Sequence, residues 1–361
     1  LNSTENSSTW NIVEWMADGE PTLIFDGKKP RQYVSIRRRE HYRQLDIDAA
    51  ILDAVKAAVT SFERVEQAVT VKEGYPPLQL IADPILGPLG VSYGAQVWIG
   101  PTDQPVPPVR AIGAFEWDPA TEITYHGRTI ETEILGHAEP KEQRVSPEIF
   151  RHFEAFPREG ELGRFIAEMR SNLVEHGATF DSRLTLKRMD NVVRQAYMTM
   201  RAVRKDEGVW MLRGLVHDIS DVEKPQLTDT YDRRTARTTA ALIAGDDPVG
   251  IGHIDFATGI VADWLTPPPA PLDGWLVNNP EFHQDNIEEM TAAQLRLAKA
   301  ETTKEEYRAW VRFPDTDWIE AKFLLAAATP GVFGHGLIRV ETVAPHEDRG
   351  DSSEQGGPLL W

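Results

Sequence analysis

Ten histidines are the first side chains to weigh, because imidazole serves as general base, metal ligand and haem ligand. His126, His137, His152, His217, His253, His283 and His335 form no H-E-x-x-H and no close i, i+4 pair, so their spacing builds no zinc site. His176 directly precedes Gly177 at the end of an apolar-periodic stretch, a position that reads as a helix-terminal imidazole rather than an axial haem ligand. Gly250-Ile251-Gly252 is half of a dinucleotide fingerprint, placed at the start of a strand instead of between strand and helix. No G-x-x-x-x-G-K-[ST] loop and no G-x-S-x-G elbow occurs. Carboxylates are plentiful, but pairs such as Glu288-Glu289 and Glu305-Glu306 read as solvated faces. The expectation is a protein that is not an enzyme, with no catalytic residue, no metal site and no cofactor. The alternative is an enzyme of unrecognised type with a pocket between domains.

Arg37-Arg38-Arg39, with Arg31 and Arg43 nearby, is the one basic cluster, and it reads as a solvated strand end pairing with local carboxylates. Acidic residues outnumber basic ones 56 to 38, and a formal charge of −18 argues against nucleic acid and anionic membrane surfaces as partners. Cysteine is absent, which excludes disulfide frameworks, Cys-ligated zinc, iron–sulfur clusters and thiol chemistry. No apolar run approaches the roughly 18–20 residues that span a bilayer, so the expected location is the cytoplasm.

The elements around these residues divide a chain of 361 residues into three segments. A polar tail covers 1–9, and four prolines within 101–108 predict an extended linker. A second linker falls at 223–235 and a charged tail at 345–361, leaving compact segments at 10–100, 109–222 and 236–344. In the first, Ile47, Ile51, Val55, Val59, Phe62, Val65 and Val69 recur at helical spacing and predict one helix. In the second, strands at 110–117 and 122–126 precede short helices around 129–137 and 146–156 and a longer one from Leu162 to His176; three strands then close the segment. The third repeats this order. Gly252-His253-Ile254-Asp255-Phe256 echoes Gly113-Ala114-Phe115-Glu116-Trp117, and Gly336-Leu337-Ile338 echoes Gly214-Leu215-Val216, which argues for a duplicated domain. The fold class is α+β.

The second segment resembles a PAS domain, a five-stranded antiparallel sheet with helices inserted between its second and third strands. The resemblance rests on the opening Gly113-Ala114-Phe115-Glu116-Trp117-Asp118 and on the ending Gly208 to Ser220, with its Asp218-Ile219-Ser220 close. The third segment resembles a more divergent PAS domain, and the first a trimmed GAF or PAS-like module. The whole is similar to actinobacterial tandem PAS-fold proteins of unassigned function with an N-terminal GAF-like portion. Such a fold implies a cavity between helices and sheet, lined here by Phe115, Trp117, Tyr125, Phe165, Met169, Leu173, Met198, Met200 and Trp210; the same residues would also make an ordinary core. The third segment offers Trp264, Trp275, Phe282, Trp310, Phe313 and Trp318 in the same way. The resemblance further implies a sensory or adaptor role, with a possible small apolar ligand. All three segments are accounted for by sensor-type modules, so output is expected through an unidentified protein partner. A ligand-free scaffold is a further alternative. Alternation puts Tyr197 and Thr199 on the opposite sheet face from Met198 and Met200, and one of these sets is expected to meet a docked neighbour.

Overall fold

A computed structural model describes residues 9–343 apart from 40–41, 44, 72–75, 120, 206–207, 227–237, 257–258 and 328–334. The polar tail before residue 9, most of the linker at 223–235 and the charged tail at 345–361 therefore lie outside the described residues.

Three antiparallel sheets follow one another along the chain. The first contains β1 (Asn11–Glu14), β2 (Thr22–Phe25), β3 (Pro30–Val34), β4 (Val65–Val69), β5 (Leu78–Leu86) and β6 (Ser92–Pro101), in the order β3-β2-β1-β6-β5-β4. Helix α1 (Asp48–Ser61) lays Ile51, Ala54, Val55 and Ala58 on the inner face, against Val13, Leu80, Ala95 and Val97. The helix expected to run on to Val69 stops where Phe62 turns left-handed at φ 60°, and 65–69 becomes the edge strand β4. Val65 and Val69 fit helical spacing, but β-branched residues alternating with Glu66 and Ala68 suit a strand equally well.

The second sheet is built on β7 (Ile112–Trp117), β8 (Ile123–His126), β11 (Thr179–Lys187), β12 (Val193–Arg204) and β13 (Trp210–Asp218), in the order β11-β12-β13-β7-β8. Between β8 and β11 lie a π-helical turn at Ile130–Ile134, β9 (Gln143–Val145), α2 (Ser146–Phe150), β10 (Phe153–Ala155) and α3 (Glu159–Arg170). Helix α3 ends well short of the expected His176, and the ring of His176 instead accepts a hydrogen bond from the Arg204 backbone N–H at 3.0 Å.

After the short helix α4 over 238–244, the third sheet comprises β14 (Val249–Asp255), β15 (Val261–Thr266), β16 (Glu281–Phe282), β17 (Lys304–Arg312), β18 (Ile319–Ala327) and β19 (His335–Thr342), in the order β15-β14-β19-β18-β17-β16. Helix α5 (Gln284–Ala298) buries Met290, Ala293 and Leu297 on its inner face. The opposite face of the sheet carries a ladder of ion pairs, Arg308 with Glu320, Lys322 with Glu306 and Glu341, and Arg339 with Glu341. In each sheet, counted from its own first strand, five strands run second, first, fifth, fourth, third, with one added edge strand in the first and third sheets and two, β9 and β10, in the second. The repeated order read in the sequence is a repeated topology.

By contacts the chain forms two compact units. One holds 1–116, 125–142 and 175–226; the other holds 117–124, 143–174 and 227–361. Within the first unit, Ile112, Ala114, Tyr197 and Leu215 of the second sheet pack on Ile12, Ile24, Phe25 and Tyr93 of the first. Tyr197 and Thr199 thus sit on a covered face, and a hydrophobic contact of this size excludes water from the charges beside it. Glu14 is paired with Arg201 at 2.6 Å, and Glu116 with Lys205 at 2.5 Å and Arg213 at 3.0 Å. Burial pushes the Glu116 carboxyl up, but hydrogen bonds from Lys205, Arg213 and the Tyr93 hydroxyl outweigh it and hold the group below the usual range.

Arg39 is buried rather than solvated, and Arg37 and Arg39 share Asp48. Among the described residues no helix is long and apolar enough to cross a membrane.

Candidate functional site

The second unit contains a cavity of about 20 Å³ under α5. That is room for a water molecule, which takes roughly 10–15 Å³ by the same measure. Its apolar walls come from alternate positions of the third sheet, Ile254, Val261, Phe323 and Ile338, and from Trp275, Phe282 and Met290. The rings support one another: Tyr307 stacks on Phe323 at 5.2 Å and 14°, and Trp275 stands edge-on to Phe282 at 6.0 Å. Aromatic pairs in these geometries add to the burial they provide.

Polar groups reach the same space from three directions. Tyr307 on β17 and Gln294 on α5 are both buried and hydrogen-bonded to each other, and burial pushes the Tyr307 phenol well above its ordinary range. Glu122 comes from the turn between β7 and β8, where it adopts φ 57° and its N–H bonds the Asp118 carbonyl at 2.8 Å. Burial raises the Glu122 carboxyl, and Arg170 of α3, bonded to it at 3.1 Å, opposes that shift. Arg170 also bonds the Pro119 carbonyl and lies over the Trp117 ring. Ser146 at the start of α2 and Asn279, whose amide bonds the Thr121 carbonyl at 2.8 Å, complete the polar side. The cavity therefore presents a phenol, two amides, a hydroxyl and one carboxylate whose charge is matched by Arg170.

The residues expected to line a cavity in 109–222 fall in both units. Phe115, Tyr125, Met198, Met200 and Trp210 belong to the first unit, and Trp117, Phe165, Met169 and Leu173 to the second. Phe115, Met198, Met200 and Trp210 are buried in the first, and Tyr125 is half-buried. In the second, Met169 and Trp117 are buried and Phe165 is half-buried. Leu173 is 75% exposed, because α3 ends at Arg170 and the chain turns away before reaching it. None of the nine lines the cavity under α5. Two of the aromatics noted for the third segment, Trp275 and Phe282, do. Glu122, Gln294 and Tyr307 carry no motif that singles them out in the sequence.

Among the described residues no group of three or more His, Asp or Glu side chains could hold a metal ion. The buried pair of His126 and Glu131 in the first unit anchors the π-helical turn, with the second Glu131 oxygen accepting from the Lys141 backbone N–H.

Residues 9–108 match the family described as Rv3651-like, N-terminal. No curated protein matches the chain. Over 94% of this chain and 97% of the other, it is similar to the crystal structure of an uncharacterized protein from Mycobacterium tuberculosis, with 18% identity and a TM-score of 0.67. A sensory box histidine kinase/response regulator from Burkholderia thailandensis is matched over 37% of this chain and 91% of that one, with 14% identity and a TM-score of 0.24. An RNA-binding light-oxygen-voltage receptor is matched over 64% and 95%, with 11% identity and a TM-score of 0.25. The last two scores carry no weight in assigning the fold. The chain shares the fold of that mycobacterial protein, and its residues 9–108 match the Rv3651-like N-terminal family.

Proposed function

We propose that this chain is a non-enzymatic regulatory protein of three PAS-like modules, the first GAF- or PAS-like, whose second unit responds to a small neutral ligand. Support for the modules comes from the strand order shared by the three sheets. Support for the ligand comes from one observation above the others: Tyr307, Gln294 and Glu122 converge on a cavity otherwise walled by rings and aliphatic groups. Apolar walls with a few placed polar groups are what small-molecule sites use. The Glu122–Arg170 pairing leaves the cavity without net charge, which favours a neutral molecule over an ion. Binding would part α5 from the sheet, and output would pass to a separate protein partner.

A ligand-free scaffold is the second reading, favoured by the cavity's small size of about 20 Å³. A thermal-shift screen of small neutral compounds separates the two. The sensor reading expects stabilisation of the full chain by some of them and none of the Val261→Phe variant, whose cavity is filled. Compounds that shift neither protein, or both alike, would favour the scaffold.

A further inference from the structure

The proline-rich run 101–108, expected to be a linker, is laid over the outer face of the first sheet. There Trp10, Ile81 and Trp98 form an apolar cluster, all at most 2% exposed, and Val106 packs against it. The run is clamped at both ends. The Thr102 N–H bonds the Pro77 carbonyl at 3.0 Å, and the Gln96 amide brackets Arg110, donating to its carbonyl at 3.1 Å and accepting its N–H at 2.9 Å. Between the clamps, Pro105, Pro107 and Pro108 have no N–H with which to join the sheet. The Trp10 indole N–H donates to the Pro107 carbonyl at 2.9 Å, while Pro105 and Pro108 remain exposed. Trp98, whose ring lies across Gly100, has a buried indole N–H with no acceptor.

We propose that the Trp10–Ile81–Trp98 face is a docking site for an extended proline-rich segment of a partner protein, closed in this chain by residues 105–108. The strap itself supplies the argument for the occupant. Prolines hold a chain extended at little ordering cost and present bare carbonyls, which indole N–H groups on an aromatic face can read. The strap satisfies one of the two indoles and leaves the buried Trp98 N–H unmet, so a segment that replaces the strap finds a second donor on the same face. A tethered ligand acts at an effective concentration on the order of millimolar, enough to mask the site from a weak free peptide. This inference is independent of the cavity in the second unit.

The test uses the full chain and a synthetic peptide with the sequence of residues 102–110, titrated by tryptophan fluorescence and calorimetry. In a variant carrying Val106→Ser and Pro107→Gly the strap is loosened, and the peptide is expected to bind at least about tenfold more tightly than to the unaltered chain. Adding Trp10→Phe, which keeps a ring but removes the donor, should cost most of that gain. An opened variant that is folded by circular dichroism yet binds no peptide would overturn the proposal, as would binding indifferent to Trp10→Phe. Should the double variant not fold, the exposed Pro105→Gly change takes its place; an intermediate gain supports the strap and no gain refutes it.

Discussion

Gly214 lies directly beneath the ring of Phe115, so close that a methyl group on it would stand 2.2 Å from the ring. The third sheet repeats the arrangement with Gly336 beneath Phe256, again at 2.2 Å. In both sheets the glycine is on the last strand and the phenylalanine at the first. Gly214→Ala is therefore expected to overpack the core and destabilise the chain by about 1–3 kcal/mol. Pairing it with Phe115→Leu should recover part of the loss. Urea unfolding of the single and double variants measures both.

That repeated glycine was visible in the sequence because strands alternate and a glycine among apolar residues stands out; hence the echoes at 113–117 and 252–256 and at 214–216 and 336–338. The sequence echo aligns Phe256 with Trp117, whereas the structure gives Phe256 the role of Phe115. Helix limits were less legible. Val65 and Val69 continue the spacing of α1, and nothing local announces that Phe62 turns left-handed. Leu173 fits the apolar face of α3 in the same way but follows its end. The site was legible only in its rings. Trp275 and Phe282 mark a core, but the turn carrying Glu122 reaches the third sheet through tertiary packing, which no spacing rule encodes.

The His217 ring is fully buried between Phe25 and Tyr197, and neither nitrogen has a hydrogen-bond partner. Burial, reinforced by the nearby Arg110 and opposed by Asp221, pulls its pKa from 6.5 down to about 3. A group that binds its proton more weakly when folded leaves stability intact above the unfolded pKa and erodes it as pH falls. The loss should begin near pH 6.5 and continue toward pH 3, at about 1.4 kcal/mol per pH unit from this group. His217→Phe should remove that component. Unfolding of both proteins at pH 7, 6 and 5 checks it, and parallel pH profiles would contradict it.

Arg201 ties the second sheet to the first through Glu14, and it lies over the Tyr33 ring at 4.8 Å. Glu14 is 1% exposed, so removing the guanidinium strands a buried carboxylate. Arg201→Met should cost about 3–5 kcal/mol. Adding Glu14→Gln should restore much of it, because the stranded charge is then gone. A double-mutant cycle by denaturant unfolding gives the coupling, and additive losses would show that the pair acts independently.

Arg170 of α3 is the counter-charge of Glu122, whose carboxyl lies at the cavity under α5. Arg170→Met should leave that carboxyl without its counter-charge and favour its protonated form. The variant is expected to lose stability as pH rises from 5 to 8, more steeply than the unaltered chain. Thermal unfolding across that range measures the slope, and identical slopes would place the carboxyl in water.

Native mass spectrometry of the full chain, purified without heating from the organism that makes it, tests the ligand-responsive cavity most directly. The expected result is a retained small neutral molecule in the unaltered chain that is lost in Val261→Phe and weakened in Tyr307→Phe. A bare mass for the unaltered chain, with both variants folded and equally bare, would contradict it.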